Sequence, residues 1–170
     1  MRFASLGSGS RGNATLVEEG RTCLLVDCGF SAREAERRLL RLGREPGQLG
    51  GILVTHEHND HLQGVHTLAR RYGLRIWMTQ GTWRASQEVV ARRGRGGQGL
   101  AEPTLFSSHE SFTVGDLEIQ PFPVPHAARE PSQFLFGNGA ARHGILTDVC
   151  RVTAHIARQA DRCAALRAAS

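Results

Sequence analysis

The chain has 170 residues, a formal net charge of +5 at pH 7, 40% hydrophobic residues and 22% charged residues. This length fits one domain over residues 1–170, and the ordinary composition excludes a collagen-like, coiled-coil or largely disordered chain. Neither a signal peptide nor the apolar run of about 18–20 residues that a membrane helix needs is evident in the sequence. We therefore expect a cytoplasmic protein with no membrane partner.

All 21 basic residues are arginine. Guanidinium groups are forked and permanently ionised, which suits them to phosphates, although a biased base composition of the gene would give the same count. The four cysteines (Cys23, Cys28, Cys150 and Cys163) form no C-x-x-C pair. We expect them to be buried or free thiols rather than zinc ligands or disulfides.

Short apolar runs open the chain and predict strands at residues 2–6, 14–17 and 22–26. Ser31 is followed three residues later by Glu34, which is the pattern of a capped helix that Gly43 would end. The rest of the first half predicts a buried strand at 51–55 and a helix at 62–72.

After residue 74 the sequence predicts a strand at 75–79 and a helix at 82–93. Four strands follow, at 110–114, 117–122, 133–136 and 143–147, and then a helix at 152–163. Thr82 is the expected cap of the first of these helices, and the glycine-rich residues 94–99 are expected to be a mobile loop. The four later strands pair as two hairpins around short turns. Strands mixed with helices and hairpins predict an α/β fold with mixed sheets.

A dense set of metal-ligand side chains follows the predicted strand at 51–55. Residues 55–61 read THEHNDH, with three histidines and an aspartate within six residues. His56 and His58 project to the same side of an extended chain and can grip one ion, whereas Asp60 and His61 can reach a second. Imidazole and carboxylate ligands suit zinc, manganese or iron. Two such ions stabilise both the attacking and the leaving oxygen of a displacement.

The H-x-H-x-D-H string resembles the signature of the metallo-β-lactamase fold superfamily. Other segments occur in that superfamily's order, namely LGSGSRGN at 6–13, VDCG at 26–29, PH at 125–126 and LTD at 146–148. Together they look most like the YycJ (WalJ) branch, a group of bacterial proteins regarded as DNA exonucleases or related phosphodiesterases. The resemblance implies an αββα sandwich.

The resemblance also implies two divalent ions, zinc or manganese, and their ligands. These ligands are His56, His58 and His126 at the first site, Asp60 and His61 at the second, and Asp148 between the two ions. Asp60 and His58 are the implied catalytic residues, with Asp60 orienting a water and acting as general base. Asp27 is implied to hold the ligand loop by hydrogen bonds.

The implied activity is that of a metal-dependent hydrolase, a phosphodiesterase or exonuclease acting on DNA through a metal-bound hydroxide. A hydrolase of a small ester, thioester or lactone with the same site is one alternative, and a catalytically inactive fragment is another. The sequence departs from the family pattern at Ala127, commonly aspartate, and at Cys150, where the pattern has glycine. It also lacks the family's last ligand histidine before Ser170, so we expect missing C-terminal elements and a second site one ligand short.

Two arginines lie close to the implied site in the sequence. Arg11 belongs to the glycine-rich segment GSGSRGN, which lacks the lysine that ends an ATP-binding P-loop, and Arg129 follows His126. Both are candidates for binding a substrate phosphate. For the glycine-rich segment, the alternative is a tight turn between strands.

Overall fold

The computed structural model describes residues 1–92, 99–149, 151–161 and 163–169. Within these ranges the first half of the chain forms a six-stranded sheet with the strands in chain order, β1 (Arg2–Gly7), β2 (Ala14–Glu19), β3 (Thr22–Val26), β4 (Gly51–Leu53), β5 (Ile76–Met78) and β6 (Thr104–Leu105). Strands β1 to β3 are antiparallel, and each step from β3 to β6 is parallel. The parallel steps are connected by α1 (Ala32–Arg41), α2 (Asn59–Leu62), α3 (Val65–Tyr72), α4 (Gln80–Arg92) and a 3-10 turn at Pro46–Gln48.

The second half of the described chain forms a five-stranded sheet. Its members are β7 (Phe112–Val114), β8 (Leu117–Pro123), β9 (Ser132–Gly137), β10 (Arg142–Thr147) and β11 (Ala165–Ala169), with α5 (Ala154–Ala160) between the last two. The predicted hairpins are confirmed, since β7 pairs antiparallel with β8 and β9 with β10. Strand β11, which the sequence did not predict, adds parallel to β10.

The hydrophobic core has three parts, because successive side chains along a strand point to opposite faces of the sheet. Val17 and Leu24 point from the first sheet toward Phe134 and Phe136 of the second and form the layer between the sheets. Neighbouring side chains on the same strands, such as Leu16, point the other way and pack against α1 and α3. The outer face of the second sheet packs against α5. The layers are therefore helix, sheet, sheet and helix, and the expected αββα sandwich is confirmed.

The predicted helix at 62–72 is divided into α2 and α3. Gly64 causes the break, because its N–H donates to the carbonyl of Cys28 at 2.8 Å. A Cβ on Gly64 would lie 2.2 Å from the carbonyl oxygen of Phe30, so the chain packs too closely there for a side chain. The interruption is thus set by tertiary packing, which a helical sequence period does not reveal.

Two other helix boundaries also differ from the prediction. Helix α4 begins before Thr82, because the hydroxyl of Thr79 accepts the N–H of Thr82 at 3.2 Å and so caps the helix. Helix α5 is shorter than 152–163 because the Thr153 hydroxyl accepts the N–H of Ile156 at 3.2 Å and fixes its start at Ala154.

The remaining predictions concern the glycine-rich loop, the cysteines and membrane helices. The expected loop at 94–99 lies, apart from Gly99, outside the described residues, as does Cys150. Cys23, Cys28 and Cys163 are free thiols, the first two buried, and burial raises the pKa of Cys28 to about 12. In the part of the chain that the structure describes, no helix has both the length and the apolarity needed to cross a membrane.

Candidate metal centre

The candidate ligands meet where three strands end. Asp27 directly follows β3, residues 55–61 follow β4 closely, and Asp148 directly follows β10. His126 comes from the connection between β8 and β9. Strands β3 and β4 are parallel neighbours, so their carboxyl ends lie at the same edge of the sheet. The packing of the second sheet on the first then brings His126 and Asp148 to that edge.

Asp27 organises the beginning of the histidine-rich segment. Its carboxylate accepts the backbone N–H and the hydroxyl of Thr55, each at 2.8 Å, and contacts Nδ1 of His61 at 2.7 Å. The residue is 1% exposed, and its φ of 61° lies in the left-handed region that non-glycine residues seldom adopt. Asp27 is therefore placed where it can hold the ligand segment by hydrogen bonds.

His61 is buried among three carboxylates. While Asp27 contacts Nδ1, the opposite nitrogen Nε2 lies 2.7 Å from Asp148 and 3.7 Å from Asp60. Burial lowers the pKa of His61, but the negative charges of these carboxylates, that of Asp27 first, outweigh burial and raise its pKa to about 9. Because Asp27 occupies Nδ1, the nitrogen that His61 presents to the site is Nε2.

His56 presents one nitrogen to the same space. The Thr55 hydroxyl donates to Asp27 and so accepts from Nδ1 of His56 at 2.9 Å. Nε2 of His56 is buried and has no hydrogen-bond partner among the described residues, and it lies 3.8 Å from Asp148. Burial lowers the pKa of His56 to about 3, helped by the nearby His61. A neutral imidazole with an unpartnered buried nitrogen is a ready metal ligand.

His58 and His126 complete a cluster of three imidazoles with His56. Nε2 of His58 donates to the carbonyl of Ala127 at 3.1 Å, which leaves its Nδ1 facing Nε2 of His126, also at 3.1 Å. The rings of the three histidines meet edge to face, with centroids 4.6–4.8 Å apart. Burial lowers the pKa of His126, and the neighbouring His58 lowers it further.

These side chains offer two groups of donor atoms for a metal ion. One is His56, His58 and His126, and the other is His56, His61 and Asp148, with the ligand atoms of each group within 4.8 Å of one another. The groups share His56, whose Nε2 lacks a hydrogen-bond partner in the described chain. Imidazole with one carboxylate is a donor set that zinc and other divalent transition metals accept. The residues thus fit a divalent cation.

Asp60 lies beside the second group. Its Oδ2 is 3.7 Å from Nε2 of His61 and accepts from the side-chain amide of Asn13 at 3.3 Å. The carboxylate is 30% exposed, so solvent reaches it. Among the residues implied as ligands of the second ion, Asp60 therefore lies at the solvent-exposed edge of the site.

Asn13 is a site residue that the sequence reasoning missed. Its amide contacts Nε2 of His61 at 3.0 Å, and its backbone N–H donates to the carbonyl of Asp60 at 2.7 Å. The same carbonyl lies against Gly29, where a Cβ would be 1.6 Å away, so glycine is required for the close approach. Asn13 is the last residue of the segment GSGSRGN. Its polar side chain, in a predicted loop between two strands, is the sequence feature that could have identified it as a site residue.

The two candidate phosphate residues differ in their surroundings. Arg11 is exposed on the loop that leads to Asn13. Arg129 follows His126 closely, and its Nη1 lies 2.6 Å from the Oε1 of Glu88, both side chains being about half exposed. Both arginines therefore lie on segments that border the cluster, and Arg129 carries a carboxylate partner.

Comparison with protein families identifies the superfamily of this chain. A model of the beta-lactamase superfamily domain matches residues 22–167. The chain therefore belongs to that superfamily, and its fold is that of the metallo-β-lactamase proteins.

Relatives indicate a branch within the superfamily. The chain is 33% identical over 156 residues to the exodeoxyribonuclease WalJ of Streptococcus pneumoniae (92% of this chain, 57% of that protein). It is 34% identical over 148 residues to the exodeoxyribonuclease YycJ of Bacillus anthracis (87% of this chain, 54% of that protein). The chain thus spans a little over half the length of these relatives.

Solved structures agree on the fold. The Zn(2+)-bound PqqB of Methylobacterium extorquens superposes with a TM-score of 0.78 at 16% identity, covering 100% of this chain and 73% of that one. At such identity the likeness shows the shared architecture. The expected resemblance to the metallo-β-lactamase fold and its YycJ/WalJ branch is confirmed.

Proposed function

We propose that this chain is a metal-dependent phosphodiesterase that hydrolyses DNA, as the names of the WalJ and YycJ relatives state for those proteins. The observation that carries the proposal is the pair of donor groups that share the buried, unpartnered Nε2 of His56. Hydrolysis of a small ester, thioester or lactone would use the same residues. An assay of both kinds of substrate distinguishes this alternative from hydrolysis of DNA.

We assign the three-histidine group (His56, His58 and His126) to one ion and Asp60 and His61 to a second, with Asp148 between the two ions and zinc or manganese at each position. A divalent cation held there supplies Lewis acidity, which lowers the pKa of a water and stabilises negative charge on a phosphoryl oxygen. In the proposed site, Asp27 and Thr55 keep the ligand nitrogens of His61 and His56 facing the same space.

The chain's own residues supply the remaining functions in this proposal. Asp60 has a solvent-reachable carboxylate beside His61, and in the proposed role it accepts the proton of the attacking water as general base. Arg129 and Arg11 bind backbone phosphates of the DNA beside the cluster. A guanidinium matches the geometry of a phosphate better than an ammonium group does.

The first experiment measures metal content and hydrolysis with the same preparation. We expect at least one zinc or manganese per folded chain by elemental analysis, and release of nucleotides from end-labelled linear DNA. His58→Ala is expected to lose the ion of the three-histidine group and the hydrolysis, whereas His109→Ala, at an exposed histidine outside the cluster, is expected to keep both.

Three outcomes decide between the functions. A folded wild-type chain that takes up no divalent metal would overturn the proposal. Metal uptake with hydrolysis of a thioester or lactone but not of DNA would favour the small-ester alternative. Metal uptake with neither activity would mean that this chain binds the ions without catalysing hydrolysis.

A further inference from the structure

His126 lies on a connection without regular secondary structure, between β8 and β9. The connection is closed at its base by the N–H of Val124, which donates to the carbonyl of Pro131 at 3.3 Å, and by a turn in which Ala128 N–H donates to the carbonyl of His126 at 2.9 Å. These two bonds shape the loop, and Nε2 of His58, which donates to the carbonyl of Ala127 at 3.1 Å, joins it to one of the other two histidines. The position of His126 therefore depends on what holds the loop from outside.

Glu130 attaches this loop to the start of α4. Its Oε2 accepts the backbone N–H of Gly81 at 2.6 Å, and its carbonyl accepts the hydroxyl of Thr79 at 3.0 Å. Gly81 lies in the first turn of α4, where backbone N–H groups lack partners within the helix and the dipole favours a carboxylate. The same residue thus supplies two bonds, one from its side chain and one from its backbone.

The fit between Glu130 and the helix is close. A Cβ on Gly81 would lie 2.5 Å from the Cβ of Glu130 and 3.1 Å from Cγ of Arg129. The absence of a side chain at Gly81 therefore lets the loop rest directly on the helix. This contact explains the glutamate of the sequence HAARE, which the ligand assignment left without a role.

A second carboxylate holds the same loop from the side of the histidine-rich segment. Oε1 of Glu57, the residue between His56 and His58, accepts the backbone N–H of Arg129 at 2.8 Å. The loop is therefore fixed between α4 and the two histidines that His126 faces. In contrast, His61 is held by Asp27 and Asn13, on other segments, and Asp148 contacts His61 directly.

We propose that Glu130 is a positioning residue for His126. By fixing the loop on the first turn of α4, it sets the distance between His126 and His58 and so the metal affinity of the three-histidine group, while the group of His61 and Asp148 is unaffected. The inference rests on the proposed function only in taking the bound group to be a divalent metal.

The test titrates wild type, Glu130→Ala and Glu130→Gln with Co²⁺ and follows the visible absorption bands and the number of ions bound. We expect Glu130→Ala to weaken one ion roughly ten- to a hundredfold, the effect typical of residues that orient ligands, and to leave the other ion at wild-type affinity. Glu130→Gln keeps an acceptor oxygen for the Gly81 N–H and is expected to recover most of the affinity. Glu110→Gln, at an exposed carboxylate, is the matched control.

A metal-free readout separates this inference from the proposed function. Imidazole ¹⁵N shifts report the hydrogen bond between His126 and His58, which we expect in wild type and Glu130→Gln but not in Glu130→Ala. If wild type binds no metal, the proposed function fails, and these shifts alone decide the role of Glu130. Unchanged shifts and affinities in Glu130→Ala would overturn the inference, as would equal weakening of both ions with a lowered unfolding temperature, since that pattern indicates a general loss of stability.

Discussion

Asp27 and Asp148 contact the two ring nitrogens of the same imidazole, His61, each at 2.7 Å. Both aspartates have a left-handed backbone, with φ of 61° and 51°, a conformation that costs free energy for most residues and recurs at functional sites. The Asp27 carboxylate orients His61 by its hydrogen bond to Nδ1. The Asp148 carboxylate contacts Nε2, on the side of the proposed metal. The two strained positions follow β3 and β10, so each sheet contributes one of them.

The first prediction concerns Asp27→Asn. Asparagine tolerates a positive φ, so the backbone gains no strain, but its amide cannot accept from the N–H and hydroxyl of Thr55 and from His61 together. A buried donor left without a partner costs about 1–3 kcal/mol, and we expect the free energy of unfolding in urea to fall by about that amount. Asp161→Asn, at an exposed aspartate, should leave it unchanged. Equal stability of the two variants would contradict the contacts described for Asp27.

The second prediction concerns metal and stability. A ligand that binds the folded state at 100 times its Kd stabilises a protein by about 2.7 kcal/mol. For a chain of this size that corresponds to an unfolding temperature higher by roughly 5–10 °C. We expect Zn²⁺ to produce such a rise in wild type, a chelator to reverse it, and His56→Ala to diminish it, because His56 belongs to the three-histidine group and also lies within the second group of donor atoms. An undiminished rise in His56→Ala would place the ion elsewhere.

The third prediction concerns His66, which is 8% exposed and whose Nδ1 accepts the N–H of Ala101 at 3.2 Å. Burial lowers its pKa to about 4, whereas an unfolded histidine titrates near 6.5. The unfolded chain therefore binds a proton first, and stability present above pH 6.5 is lost as the pH falls toward 4.

We expect the urea unfolding free energy of wild type to fall between pH 7.5 and pH 5 by about 2 kcal/mol more than that of His66→Leu. Subtracting the variant removes the contribution of the other histidines. Parallel pH curves for the two proteins would show that His66 protonates equally in the folded and unfolded states.

The fourth prediction concerns Arg129 and its partner Glu88. An exposed ion pair contributes little stability, so a phosphate can replace Glu88 at small cost. We expect Arg129→Ala to raise KM for DNA and to reduce the slope of binding against salt by about one, with kcat little changed. Glu88→Gln should lower KM, because it frees the guanidinium.

Arg158→Ala, at an exposed arginine of α5, is the control for the loss of one positive charge. A rise in KM equal to that of Arg129→Ala would indicate a general charge effect rather than a contact at the site. Arg11→Ala is expected to behave like Arg129→Ala.

Local patterns in the sequence determined most elements of the fold. The period of two in the strands and the turn residues between them predicted both hairpins and the first three strands, because these signals act within a few residues of the chain. The same kind of reasoning found the histidine-rich segment at 55–61, where four candidate ligands are close in sequence. Its resemblance to a known family then implied His126 and Asp148.

The tertiary structure alone decided how these side chains face one another. Asn13 and His61 are 48 residues apart, and Glu130 and Gly81 are 49 apart, so no local pattern links them. The break at Gly64 and the close contact at Gly29 likewise come from a neighbouring segment of backbone. Which nitrogen of each histidine faces the cluster depends on hydrogen bonds with Asp27, Thr55 and the loop of His126. The first two exist only once β3 and β4 have paired, and the third only once the two sheets have packed together.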